Sequence, residues 1–162
     1  MATPRPLEGL AALARDTDVF ILDLWGVVHG GVRPFPGVVA TLDALRAAGK
    51  PVVFVSNAPV RAHHVARQLD AMGLGRAYDA LLTSGEVTWA HVTANYEGAS
   101  YYGIGPHWAR PLHEDLAHRR VERLYEAGFL LVVGLDDDRP EPGAYAGELE
   151  AAHTLGLPLV CA

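Results

Sequence analysis

Four apolar residues, Val19 to Leu22, run into Asp23, and Leu24, Trp25 and Gly26 follow at once. A run this short and β-rich reads as a strand buried on both faces, as in a parallel sheet. A carboxylate that ends such a strand sits at the carboxyl edge, where open α/β sheets bind their ligands. On this strand alone, an aspartate that merely caps the following turn fits as well.

A second segment repeats the pattern. Val52-Val53-Phe54-Val55 runs into Ser56 and Asn57, and Ala58-Pro59 breaks the strand. Between the two strands, Gly37 to Gly49 places Val38, Leu42 and Leu45 on one helical face, and Gly49 is a natural C-terminal stop. The result is a βαβ unit with a right-handed crossover. Both strands then point the same way, so topology brings the Asp23 carboxylate and the Ser56 hydroxyl to one edge.

The alternation continues. Leu7, Leu10 and Leu13 outline a short opening helix. Val65, Leu69 and Met72 share a helical face that stops at Gly73. Leu81 to Thr83 reads as a strand, and Thr83 with Glu86 three residues later forms a capping-box pattern leading a helix toward Asn95. After Tyr96 to Ser100, strands are expected at Tyr101–Ile104, Phe129–Val133 and Leu157–Cys161, with a helix through Tyr145, Leu149 and Ala152. No repeat or low-complexity stretch interrupts. The fold class this predicts is α/β, a doubly wound parallel sheet.

At 162 residues, half of them hydrophobic, the chain can bury a core of one or two domains. A net charge of −6, with Lys50 as the single lysine, argues against a nucleic-acid groove or an anionic membrane surface as partner. Arg119-Arg120 reads as a solvated helix face. The lone Cys161 excludes an internal disulfide, fits a reducing compartment and is expected to be a small buried core residue. With neither a bilayer-length apolar stretch nor a signal peptide in the sequence, the expected location is cytoplasmic.

The two strand motifs together resemble the haloacid dehalogenase (HAD) superfamily of hydrolases, in its class IIA branch. The nearest likeness is a subfamily that reads Asp-x-Trp-Gly-Val-x-His, then an aromatic-Pro-Gly helix start and Ser-Asn-Ala-Pro. The matching residues are Asp23, Trp25, Gly26, Val27 and His29, then Phe35, Pro36 and Gly37, then Ser56, Asn57, Ala58 and Pro59. Tyr101 to Pro106, Gly134 to Asp138 and Gly156 to Ala162 also fit, so the likeness covers nearly the whole chain. It implies a Rossmann-like core, of which residues 1–96 are the N-terminal part, and a partial α/β cap at 97–162. It also implies an N-terminal fragment, because a third motif (a lysine or arginine) and a fourth (paired acids) match nothing in this chain.

The resemblance further implies a Mg²⁺-dependent phosphohydrolase acting on a small phosphorylated metabolite. Asp23 would be the nucleophile, forming an aspartyl-phosphate, and would ligate Mg²⁺ together with the backbone carbonyl of Trp25. Ser56 and the Asn57 N–H would hold the phosphoryl group. Trp25, Gly26 and His29 would form the turn and flap, and Asp136, in a cap loop, is a substrate-contact candidate, although a solvated turn also explains Asp136 to Asp138. Cap-to-cap dimers occur in class IIA, which leaves a homo-oligomer open.

Two departures stand out. Most phosphatases of the superfamily carry an acid/base aspartate two residues after the nucleophile, where Trp25 can only donate a hydrogen bond. His29 or a water would have to substitute. Relatives often read His-Asp-Gly where this chain has His29-Gly30-Gly31. Dehalogenases also carry an aromatic two residues after the nucleophile, so attack of Asp23 on carbon is an alternative. A catalytically silent α/β domain that binds a metabolite or partner is another. His63-His64, opening a helix, reads as a solvated pair, and His107, His113, His118 and His153 show no metal-ligand spacing. Trp89 and Trp108 read as packing residues.

Without the third motif's cation and the fourth motif's acids, the chain by itself is expected to turn over little 4-nitrophenyl phosphate at millimolar concentration with Mg²⁺. Robust turnover that Asp23→Asn abolishes would overturn this expectation.

Overall fold

The computed structural model describes residues 9–162, so the expected place of Leu7 in an opening helix lies outside the described residues. The chain divides into two compact units, one of residues up to Ser56 plus Ala66–Leu82, the other of Asn57–Val65 plus Thr83–Ala162.

In the first unit, α1 (Ala11–Ala14) leads to β1 (Phe20–Asp23), α2 (Val38–Ala47) and β2 (Val52–Ser56). The main part of α3 (Ala62–Ala71) and most of β3 (Ala80–Thr83) complete it. The sheet order is β1-β2-β3, and β1 runs parallel to β2 with Phe20 opposite Val52 and Leu22 opposite Phe54. Phe20, Val52 and Phe54 are buried, as are Leu42 and Leu45 of α2 and Leu69 of α3. Helix α2 stops as its sequence predicts, with the Gly49 N–H donating to Arg46 O and the Lys50 N–H to Leu45 O. Strand β2 is tied to the start of β3, because Val52 N–H donates to the Asp79 carboxylate at 2.8 Å and Asp79 N–H returns to Val52 O.

One expectation fails here. Strand β1 is not buried on both faces: Ile21 is 67 % exposed while Phe20 is 6 % exposed. The central strand β2 is one-sided in the same way, with Val52 and Phe54 buried and Val55 38 % exposed, so the exposure belongs to one face of the sheet and not to its edge strand.

In the second unit, α4 (Ser84–Asn95) is followed by β4 (Tyr101–Ile104), α5 (Arg110–Asp115), β5 (Arg120–Val121), β6 (Phe129–Val132), α6 (Ala146–Thr154) and β7 (Leu159–Cys161). The sheet order is β5-β4-β6-β7, parallel throughout. Winding thus reverses between β4 and β6. Strand β6 is the doubly buried one: Phe129 and Leu131 join Tyr101 and Leu112 on one face, while Leu130 joins Ile104, Tyr145 and Ala152 on the other. Period-two alternation with apolar residues at every position is what a central parallel strand requires.

Three smaller readings are corrected. Arg120 is a strand residue, not part of a helix face: it pairs with Tyr101, and its guanidinium donates to Gly103 O at 2.9 Å. Cys161 is exposed, because β7 alternates and turns Val160 inward instead. Trp108 is 60 % exposed, in a one-turn 3₁₀ segment whose inward residue is Ala109.

The start of α4 is held closely. Thr83 caps it, accepting from Glu86 N–H at 3.0 Å, while its own hydroxyl donates to Val60 O at 2.7 Å. Glu86 does not turn back to Thr83 as a capping box would. Its carboxylate accepts from the Ala62 N–H and, at two points, from the Arg61 guanidinium. Gly85 N–H donates to Ala58 O at 3.1 Å, and a Cβ on Gly85 would lie 2.5 and 2.6 Å from the Val60 carbonyl carbon and oxygen. That neighbour is backbone and cannot step aside cheaply. Gly85→Ala is therefore expected to cost about 1–3 kcal/mol in urea unfolding, the range for overpacking. Gly147→Ala, in α6 with open space around it, should be neutral or stabilise by up to about 1 kcal/mol.

His113 of α5 lies ring-parallel to Tyr101 with centroids 5.7 Å apart, and the Tyr101 hydroxyl meets its Nδ1 at 3.1 Å. Burial, with the Arg120 charge adding to it, lowers the His113 pKa to about 4 from 6.5. Below pH 6.5 the unfolded chain takes up a proton that the folded chain refuses, so stability falls as pH drops from 6.5 toward about 4. Urea midpoints measured across that window should decline less steeply in His113→Asn than in the parent, whatever the offset at pH 7. Equal slopes would show that His113 is not held neutral.

Candidate active site

Strand β1 delivers Asp23 to the carboxyl edge of the first unit's sheet, and β2 delivers Ser56 to the same edge. The register sets Asp23 opposite Val55, so Ser56 stands one residue further along the neighbouring strand. Asp23 is exposed, and its Oδ1 accepts from the Leu24 N–H at 2.7 Å. Ser56 is half-buried. Asn57, the next residue and an exposed one, begins the segment that belongs to the second unit.

The loop after β1 is built on two buried anchors, Leu24 and Val28, each 2 % exposed. Leu24 O accepts from the N–H groups of Val28 and His29 at 2.9 and 3.1 Å, and Gly26 N–H donates to His29 O at 2.9 Å. Phe35 N–H donates to Val28 O, closing the flap back onto the turn. Gly26, with φ 79°, lets the chain reverse immediately after Trp25.

His29 is only 4 % exposed, and its Nδ1 accepts from Gly31 N–H at 3.0 Å. Burial lowers its pKa, and the nearby Asp23 charge only partly offsets this. The ring is therefore neutral near pH 7, its one proton on Nε2. Trp25 is 67 % exposed, meets His29 edge to face, and lies so close to Gly31 that a Cβ there would come within 2.9 Å of its ring carbons. Gly31, at φ 102°, also takes a backbone conformation that favours glycine. Beside the flap, Gly30, Val32, Arg33, Pro34, Phe35 and Pro36 line a cleft of about 530 Å³.

The donors at this edge suit a hard cation. The Asp23 carboxylate and the Trp25 backbone carbonyl offer two oxygens within three residues, the kind of donor that could hold Mg²⁺ while it keeps several waters.

Asp136 lies in the second unit, after β6. Its carboxylate accepts from Gly105 N–H at 2.8 Å and pairs with Arg139 at 2.6 Å. Burial alone would raise its pKa, but these hydrogen bonds bring it below the ordinary value. Asp137 accepts from the His107 N–H, so the acidic run folds back on the loop after β4 rather than standing free in solvent. Together the two loops border a cavity of about 310 Å³ that also includes Arg110, His113 and Arg120. It sits at the carboxyl ends of β4 and β6, where winding reverses, the usual ligand crevice of such sheets.

The sequence reading missed two groupings. Arg61, Glu86 and Trp89 form one cluster, with the guanidinium 3.7 Å from the indole centroid and 2.9 Å from the Glu86 carboxylate. His63 and His64 both face Asp115. Thr83 and Glu86 carried a local signal, whereas the approach of Asp115 to residues 51 positions earlier has none.

Comparison with known proteins agrees with this architecture. A solved hydrolase of the haloacid dehalogenase-like family from Brucella suis is 33 % identical, with a TM-score of 0.78 over 96 % of this chain and 59 % of that one. The chloroplastic phosphoglycolate phosphatase 1A of Arabidopsis thaliana is 29 % identical over 99 % of this chain, which spans 42 % of that protein's length. The glycerol phosphate phosphatase of Mycobacterium tuberculosis, solved in complex with magnesium, shares the fold at 23 % identity and a TM-score of 0.58, over 87 % of this chain and 43 % of that one. The family description "haloacid dehalogenase-like hydrolase" matches residues 20–119, from the first residue of β1 to the residue before β5. By that match, this chain belongs to the haloacid dehalogenase-like hydrolases.

Proposed function

We propose that this chain carries the nucleophile and phosphoryl-holding half of a Mg²⁺-dependent phosphohydrolase acting on a small phosphorylated metabolite. The observation that carries the reading is the parallel register that sets Asp23 beside Val55 and Ser56 one residue further on. In this reading residues 1–96 are the N-terminal part of the catalytic core and residues 97–162 part of a cap that selects the substrate, with Asp136 in its specificity loop. The phosphatase names of the relatives agree with it.

Leu24 N–H holds Oδ1 of Asp23, which leaves Oδ2 to attack phosphorus. The P–Oδ2 bond forms as the ester P–O bond breaks, and the leaving oxygen takes a proton. Water then attacks phosphorus, and the Asp23 carboxylate departs with its electron pair, giving inorganic phosphate. The Ser56 hydroxyl and the Asn57 N–H hold the equatorial oxygens. Bound between the Asp23 carboxylate and the Trp25 carbonyl, Mg²⁺ would supply charge neutralisation for the phosphoryl group.

The protonation step has an unusual shape. Trp25 holds no transferable proton at the usual acid position, and His29 is neutral with Nδ1 already accepting from Gly31. Protonation of the leaving group falls to water. Loss of a positioned acid costs about 10²–10⁴-fold on a poor leaving group. Substrates with weakly basic leaving groups, such as acyl or aryl phosphates, suit this site better than alkyl esters.

Beryllium fluoride with Mg²⁺ tests the nucleophile directly, because its adduct mimics an acyl phosphate. In a protein that carries this chain together with the third and fourth motifs, a ¹⁹F NMR signal from a protein-bound adduct is expected, absent in Asp23→Asn and absent with EDTA. No adduct in that longer protein, with Mg²⁺ in excess, would overturn the covalent reading in favour of a silent binding domain. An adduct that persists in Asp23→Asn would assign the nucleophile elsewhere.

A further inference from the structure

We propose that His63, His64 and Asp115 form a binding site for a divalent transition metal, Zn²⁺ foremost, independent of the Asp23 edge and of the phosphohydrolase reading. The first turn of α3 supplies the two imidazoles, and the last residue of α5 supplies the carboxylate. His64 Nε2 lies 2.9 Å and His63 Nε2 3.6 Å from the same oxygen, Asp115 Oδ2. All three ligand atoms fall within 4.8 Å of one another. An ion bound to imidazole nitrogen and carboxylate oxygen at ordinary lengths holds tetrahedral neighbours about 3.3 Å apart. The two separations to Asp115 Oδ2 bracket that value.

The competing account is an ordinary hydrogen bond between His64 and Asp115. It explains one imidazole and leaves the other. The His63 and His64 rings lie with centroids 4.1 Å apart, and both present Nε2 to the same Asp115 oxygen. A single divalent ion satisfies both nitrogens and the oxygen together. Two nitrogens and one oxygen are also the wrong set for Mg²⁺ and a suitable one for zinc, copper or nickel.

Both sides of the site are held in place before any ion arrives. The start of α3 is tied down by Ala62 N–H to the Glu86 carboxylate at 3.0 Å and by the Arg61–Glu86 pair. The end of α5 is held by the Trp89 indole N–H, which donates to Asp115 O at 3.2 Å. Arg61 would oppose a cation here, but Glu86 meets its guanidinium at two points and neutralises it. The side chains of His64 and Asp115 are about three-quarters buried, while His63 is 46 % exposed, which leaves a path for the ion and room for a water as fourth ligand.

The test is isothermal titration of the chelator-stripped chain with ZnCl₂, repeated with CoCl₂ to read the visible absorption of a tetrahedral cobalt site. One saturable site per chain is expected, unaffected by excess MgCl₂. His64→Ala and Asp115→Asn should each weaken it by at least about tenfold, since losing a mere outer partner of a ligand costs about 10–100-fold. His153→Ala, which alters an exposed histidine in α6, should leave it unchanged. Absence of saturable binding in the parent chain would overturn the proposal without recourse to any variant. So would binding that survives both cluster substitutions or is lost in His153→Ala.

Discussion

The ladder between β1 and β2 is the constraint on which the chemistry at the first unit's edge depends. Phe20 opposite Val52 and Leu22 opposite Phe54 fix the register, because these side chains fill the space between the sheet and its helices. A slip of one residue would turn every side chain of β1 to the other face. Asp23 would then leave the neighbourhood of Ser56, and Ile21 would exchange its solvent position for the core. Apolar packing three residues away thus sets where a carboxylate points.

Much of this frame was legible in the order of residues. Two apolar runs ending in Asp23 and Ser56, with a helix between them that stops at Gly49, leave little choice but a parallel pair. Strand β6 was legible for the same reason, an unbroken apolar run from Phe129 to Val133. What stayed hidden was set by distant partners. The exposure of Ile21 depends on which face of the sheet is covered, a face that β2 also leaves open at Val55, and a strand's own sequence does not carry that. Arg120 became a strand residue because Tyr101 offered it a ladder, and Cys161 turned outward because Val160 took the core position. Glu86 had the spacing of a capping box, yet Arg61 and Ala62 outcompeted the local backbone for its carboxylate.

The two halves of the chain hold contrasting polar chemistry. At the first unit's edge the donors are oxygens on a solvent-facing turn, with a neutral, buried imidazole behind them. The second unit concentrates its polar side chains into closed pairs: Asp136 with Arg139, Glu86 with Arg61, and Tyr145 between Asp136 N–H and Arg139 O. Closed pairs hold loops in shape. In the Asp136 loop they tie the ends of β4 and β6 to one another, so the cavity there has walls whose acidic groups are already engaged.

The indole at position 25 has a second tie besides its place two residues after Asp23. Its ring rests against Gly31 so closely that no side chain fits beneath it, and it meets His29 edge-on. The residue that would need to change to install a proton donor is the same one that moulds the flap. Trading the indole for a carboxylate would lift the ring away from Gly31 and from the edge of His29 at one stroke, while Gly31, at φ 102°, stays a glycine position either way.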